Sequence, residues 1–156
     1  MQDNFYDSLA RVEGFEVLNG LDSQELGAEG DKNSSGTTFF KVGDIKFRAH
    51  QFKASALTIS VIVTTFSFPA TKKLDKNRIL GFINDFNSGK PGLKANLAKA
   101  DGKGFVVNFS VDLIAPNEQI SDEMVHSALR LLRGSGRLLL RDFFEKGFFL
   151  ELRPKK

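Results

Sequence analysis

Residues Leu80–Leu132 read LGFINDFNSGKPGLKANLAKADGKGFVVNFSVDLIAPNEQISDEMVHSALRLL, and this stretch decides the fold class. It opens inside a helical pattern. Ile79, Phe82, Ile83 and Phe86 recur at i, i+3, i+4 and i+7, one continuous apolar stripe. Asp75 or Thr71 can cap the start, Gly89 suits a left-handed position at the end, and Pro91 forbids continuation. The period then becomes strand-like. Leu93, Ala95 and Leu97 share one face of a first arm, and Val107, Phe109, Val111 and Leu113 share one face of a second. Asp101-Gly102 between the arms is a strong hairpin signal. Ile120 then precedes Ser121, a good N-cap, and Asp122 and Glu123 suit the positive end of a helix dipole. Val125, Ala128, Leu129 and Leu132 form the buried stripe of this second helix.

Upstream, Phe5, Tyr6, Leu9 and Val12 follow one helical face, with Asp3 or Asn4 placed to cap it and Gly14 to end it. Leu18 to Ser35 reads as loop with room for one helical turn, and DKNSSG (residues 31–36) as a connector. TTFFKV and IKFRAHQF flank Gly43-Asp44, a pair suited to a tight hairpin turn. Ile45, Phe47, Ala49 and Gln51 share one face, and Lys46, Arg48 and His50 the wetter one. LTISVIVTTF is apolar on both parities around Val61–Val63, as a covered central strand requires, and Phe68-Pro69 ends it. The predicted order is α-β-β-β-α-β-β-α, an α+β fold with an antiparallel sheet and helices packed on it. Neither side of the connector carries enough apolar sequence for its own core, so residues 1–156 are expected to form a single domain.

The composition bounds the chemistry. Sixteen Phe stand against one Tyr and no Trp, so most rings are expected in the core. With no Cys there is no disulfide, thiolate metal site or Cys nucleophile. No apolar run approaches the ~18 residues of a membrane span. The opening MQDNFYDSLARVEGF lacks the basic flank and apolar core of a signal peptide, which favours a cytoplasmic location, the periplasm being the alternative if a leader was removed. A net charge of +3 is well short of a dedicated nucleic-acid binder.

The helix ending INDFN (Ile83–Asn87), the DG turn, the strand FSVDL (Phe109–Leu113) and the helix opening ISDEM resemble the YbjN family. The resemblance covers Lys73 to Leu132 in sequence and Thr37 to Phe66 in topology only. It implies a fold similar to that of class I type III secretion chaperones and a regulatory or stress-related role. No enzymatic activity is attributed to the family. The chain departs from the family pattern at Ala115–Gln119, where a Gly-rich turn is common, and in the tail after Leu132.

No enzyme signature is legible. His50 and His126 have neither a HExxH setting nor a carboxylate set, so no metal is expected, and no cofactor either. GKPG (Gly89–Gly92) is no phosphate loop, because Pro91 lacks the backbone donor. Asn84, Asn87 and Asp112 are read as structural. Arg130, Arg133, Arg137 and Arg141, at spacings of three, four and four, share one helical face if the helix survives Gly134 and Gly136. A solvated face is the ordinary reading of such a row; a docking stripe for an acidic partner is the functional one. Phe144, Phe148 and Phe149 crowd the terminal RDFFEKGFFLELRPKK, which either folds back into the core or forms a partner surface. The expected function is a non-enzymatic, chaperone-like or regulatory module, homodimeric, that binds a segment of another protein. The alternative is a binder of nucleic acid or an anionic surface through the arginine stripe.

Overall fold

The two-residue turn at Gly43-Asp44 sets the register of half the sheet. Val42 lies opposite Ile45, and Gly43 takes a φ of 62°, a value that favours glycine. The computed structural model describes residues 5–18, 37–70, 75–101, 103–116 and 120–147. Its elements are α1 (Phe5–Ala10), β1 (Phe15–Val17), β2 (Thr38–Val42), β3 (Ile45–Ala54), β4 (Leu57–Pro69), α2 (Lys76–Gly89), β5 (Lys94–Asp101), β6 (Gly104–Pro116) and α3 (Asp122–Glu145). The strands form one sheet in the order β1-β2-β3-β4-β6-β5, antiparallel from β1 through β4. This is the α+β architecture that the change of period predicts.

One element was not foreseen. Residues Phe15–Val17, expected to lie between a helix and a loop, pair as β1 with Phe40–Val42. Three residues carry too little pattern to announce a strand; the partner strand supplies the order. The first helix also stops at Ala10, short of Gly14, whose φ of 85° makes the turn into β1. Asp3, Asn4, Thr71 and the Leu18–Ser35 loop beyond Leu18 lie outside the described residues.

The chain divides into two compact units: residues 1–64 with 110–133, and residues 65–109 with 134–156. In the first unit Phe40 stacks on Phe47 at 5.3 Å and Phe15 approaches Phe40 at 5.1 Å. Phe5, Leu9, Ile62, Val125, Leu129 and Leu132 are buried with them. Two buried hydroxyls of β4 find partners: Thr64 Oγ1 donates to the Lys46 carbonyl at 2.9 Å, and Gln51 Nε2 donates to Ser60 Oγ at 2.7 Å. Ser8 Oγ and Arg11 reach Asp122 at the start of α3, so α1 and the residue just after it are tied to α3 by hydrogen bonds and charge.

The second unit is a phenylalanine cluster. Phe68 stacks on Phe105 at 4.9 Å, and Phe143 lies 6.2 Å from Phe105 and 5.2 Å from Phe82. Phe66 and Phe86 both meet the ring of Phe109 edge-on, at 5.8 and 6.1 Å. Ile79, Ile83 and Phe86 are the buried stripe of α2, as their spacing predicts. Asp75 caps that helix, accepting from the Asn77 amide at 3.0 Å. Its other end differs from expectation: Gly89 is the last helical residue, and the left-handed conformation falls on Gly92, with φ 87°.

Candidate functional site

The site is built on α3, which runs unbroken from Asp122 to Glu145. Ser121 opens it, accepting from the Met124 amide at 3.2 Å. Gly134 and Gly136 do not interrupt it. Packing offsets their weak helix propensity: Ser135 and Leu139 are buried, and Gly136 lies against the ring of Phe66, which a Cβ would meet at 3.4 Å. The condition attached to the arginine row is therefore met. Arg130, Arg133, Arg137 and Arg141 are all exposed along one helix, at positions about 80° apart or less around its axis.

The four do not stand in equivalent surroundings. In the second unit, Arg141 Nε donates to Glu145 Oε1 at 3.0 Å, one turn on. In the first unit, Arg130 and Arg133 have no ion pair or hydrogen bond among the described residues. They line a cleft of about 420 Å³ together with His126 and Leu129 of α3, Glu13 and Val12 before β1, and Val42 at the β2–β3 turn. Gly14 and Gly43 complete its lining, their backbones close enough that a Cβ on Gly14 would lie 3.6 Å from the Gly43 nitrogen. Met124 and Leu131, seven residues apart on α3, are exposed on a flank about 100–120° around the helix axis from Arg130.

One charge near the cleft is already spent. Asp122 accepts from Arg11 Nε at 2.9 Å and Arg11 Nη2 at 2.7 Å, and from Ser8 Oγ at 2.7 Å. These bonds, Arg11 first, hold its carboxyl at about 2, with His126 adding a smaller attraction. Nε2 of His126 is buried without a hydrogen-bond partner.

The remaining sequence candidates are placed as follows. Phe143 is fully buried, while Phe144 is 64% exposed, so the tail's first two rings take opposite roles. Phe148 and Phe149 lie outside the described residues. His50 stacks on Phe52 at 6.2 Å. Asn87 is structural, bonding to the backbone of Ala95. Sequence reading missed the cleft, because its walls come from three separated segments. It also missed Phe52 and Leu57, 47% and 42% exposed near the tip of the β3–β4 hairpin, whose alternation looks like that of any covered strand.

Among the described residues no helix is long and apolar enough to cross a membrane, and no group of three or more acidic or histidine side chains could hold a metal ion. No family model matches the chain, and no curated protein matches it. Among solved structures it is similar to the crystal structure of YbjN from E. coli, a candidate transcription regulator. The match has 12% identity and a TM-score of 0.37, and covers 89% of this chain and 100% of that one. It lends no residue and no activity to this chain.

Proposed function

We propose that this chain is a non-enzymatic binding module that takes an acidic segment of another protein on the exposed face of α3. The observation that carries this reading is the pair Arg130 and Arg133, exposed and without partners among the described residues, on a helix that also exposes Met124 and Leu131 on its flank. Exposed arginine and methionine are both favoured at protein interfaces, the guanidinium supplying orientation and the apolar side chains affinity. A nucleic acid fits this half of the helix less well. Single strands are held by aromatic platforms interleaved with basic side chains, and of the cleft's lining only His126 carries a ring. The second reading, an anionic surface or nucleic acid, draws on Arg137 and the exposed ring of Phe144 in the second unit.

Fluorescence anisotropy with labelled peptides alternating Glu and Leu, set against single-stranded DNA of equal length, tests the proposal. Peptide binding should weaken about tenfold when Arg130 and Arg133 both become Gln, a change of roughly 1.4 kcal/mol. Tighter binding to DNA, falling steeply with salt, would replace this reading with the second.

A further inference from the structure

The cleft under Arg130 and Arg133 has a chemistry of its own. Its volume of about 420 Å³ falls in the range of small-molecule sites, roughly 300–1,000 Å³, and it lies wholly within the first unit. Two guanidiniums and one carboxylate, that of Glu13, share its lining. None of the three has an ion pair or hydrogen bond among the described residues, so the opposite charges do not neutralise each other. A simple anion would be drawn by the arginines and repelled by Glu13. A simple cation would meet the reverse. A ligand carrying both a carboxylate and an ammonium satisfies all three groups. The other side chains of the lining are His126 and the aliphatic Val12, Val42 and Leu129.

The backbone keeps the space open. Gly14 and Gly43 hold φ values of 85° and 62°, so each occupies a conformation that L side chains rarely adopt. Glycine at both positions leaves that wall without side chains to fill it.

We infer that the cleft binds a free α-amino acid with an aliphatic side chain. Arg130 and Arg133 take the carboxylate, Glu13 takes the ammonium, and Val12, Val42 and Leu129 enclose the side chain. The site stands independently of the protein-binding reading. The two are linked in one respect, because a ligand held by Arg130 and Arg133 competes with an acidic segment for them.

The test is calorimetric titration of the full chain with L-leucine, N-acetyl-L-leucine and L-leucinamide. L-leucine should bind saturably, and removing either charge from the ligand should weaken binding about tenfold or more. Glu13→Gln should erase the preference for leucine over its N-acetyl form, and Arg133→Gln the preference over the amide. Arg141→Gln, outside the cleft, should leave leucine binding unchanged. Absence of saturable binding up to about 10 mM, a Kd range worth less than ~3 kcal/mol, overturns the inference. So does equal binding of the three ligands, a comparison that needs only the unmodified chain. Since no acidic peptide is present, the outcome is independent of the peptide experiment.

Discussion

Asn87 grips Ala95 by both halves of its amide. Nδ2 donates to the Ala95 carbonyl at 2.9 Å, and Oδ1 accepts from the Ala95 N–H at 2.7 Å. A side chain thus satisfies a backbone donor and acceptor on β5, which is last in the sheet order. It occupies one position at which another strand could pair. Asn87→Asp replaces the donor with an oxygen facing a carbonyl. Urea denaturation should show a loss of about 1–3 kcal/mol, whereas exposed Asn84→Ala should cost less than ~0.5. Equal effects at the two positions would deny Asn87 this role.

Asp122 makes stability depend on acid. Its folded carboxyl sits at about 2 against an ordinary 3.8, because Arg11 and Ser8 bond to the ionised form. A depressed carboxyl contributes fully above its unfolded value and loses that contribution as pH falls through the folded one. The melting temperature should therefore drop between about pH 4 and pH 2 more steeply in the native chain than in Asp122→Asn. Parallel profiles would show that the Arg11 bonds do not stabilise the fold.

Gly134 and Gly136 separate propensity from packing on one helix. A Cβ at Gly134 meets nothing within 4 Å, so Gly134→Ala should stabilise by about 0.5–1 kcal/mol. At Gly136 the Cβ seats against Phe66 at 3.4 Å, and the gain should be smaller or absent. Thermal unfolding of the two variants gives the comparison.

Gly104 permits no side chain. Its φ is 148°, and a Cβ would collide with the carbonyl oxygen of Phe68 and with the Cα of Pro69 at 2.8 Å. Backbone cannot move aside as a side-chain end can. Gly104→Ala should cost more than about 2 kcal/mol, and should also loosen the Ala70 N–H bond to the Lys103 carbonyl, read by amide exchange. A variant that melts with the native chain would show that this crossing has slack.

What was legible in the sequence was whatever repeats locally. The 3.6 period of α2, the Gly43-Asp44 turn, the Asp75 and Ser121 caps and the alternation of β6 all depend on neighbours a few residues away. The arginine row was legible for the same reason. Contacts between distant segments were not. Strand β1 exists because Phe40–Val42 lies beside it, and α3 continues through two glycines because Phe66 supports one of them. The division of the row into paired Arg141 and, among the described residues, unpaired Arg130 and Arg133 needed coordinates, as did the cleft. Phe143 and Phe144 make the point most simply: adjacent and identical, one is fully buried and the other exposed.

The polypeptide passes between its two units three times, after Thr64, Phe109 and Arg133. On a ribosome this sets a timetable. The first unit is not complete until Arg133 has emerged, and by then the second has α2, β5 and its shares of β4 and β6 but none of its share of α3. Neither core can close early, so the N-terminal-first order usual for chains with consecutive domains is denied to this one. The Phe-rich strands must wait in the open until the second half of α3 has been made. Yield on overproduction should therefore depend more on slowed synthesis or supplied folding helpers than on the stability of the finished protein.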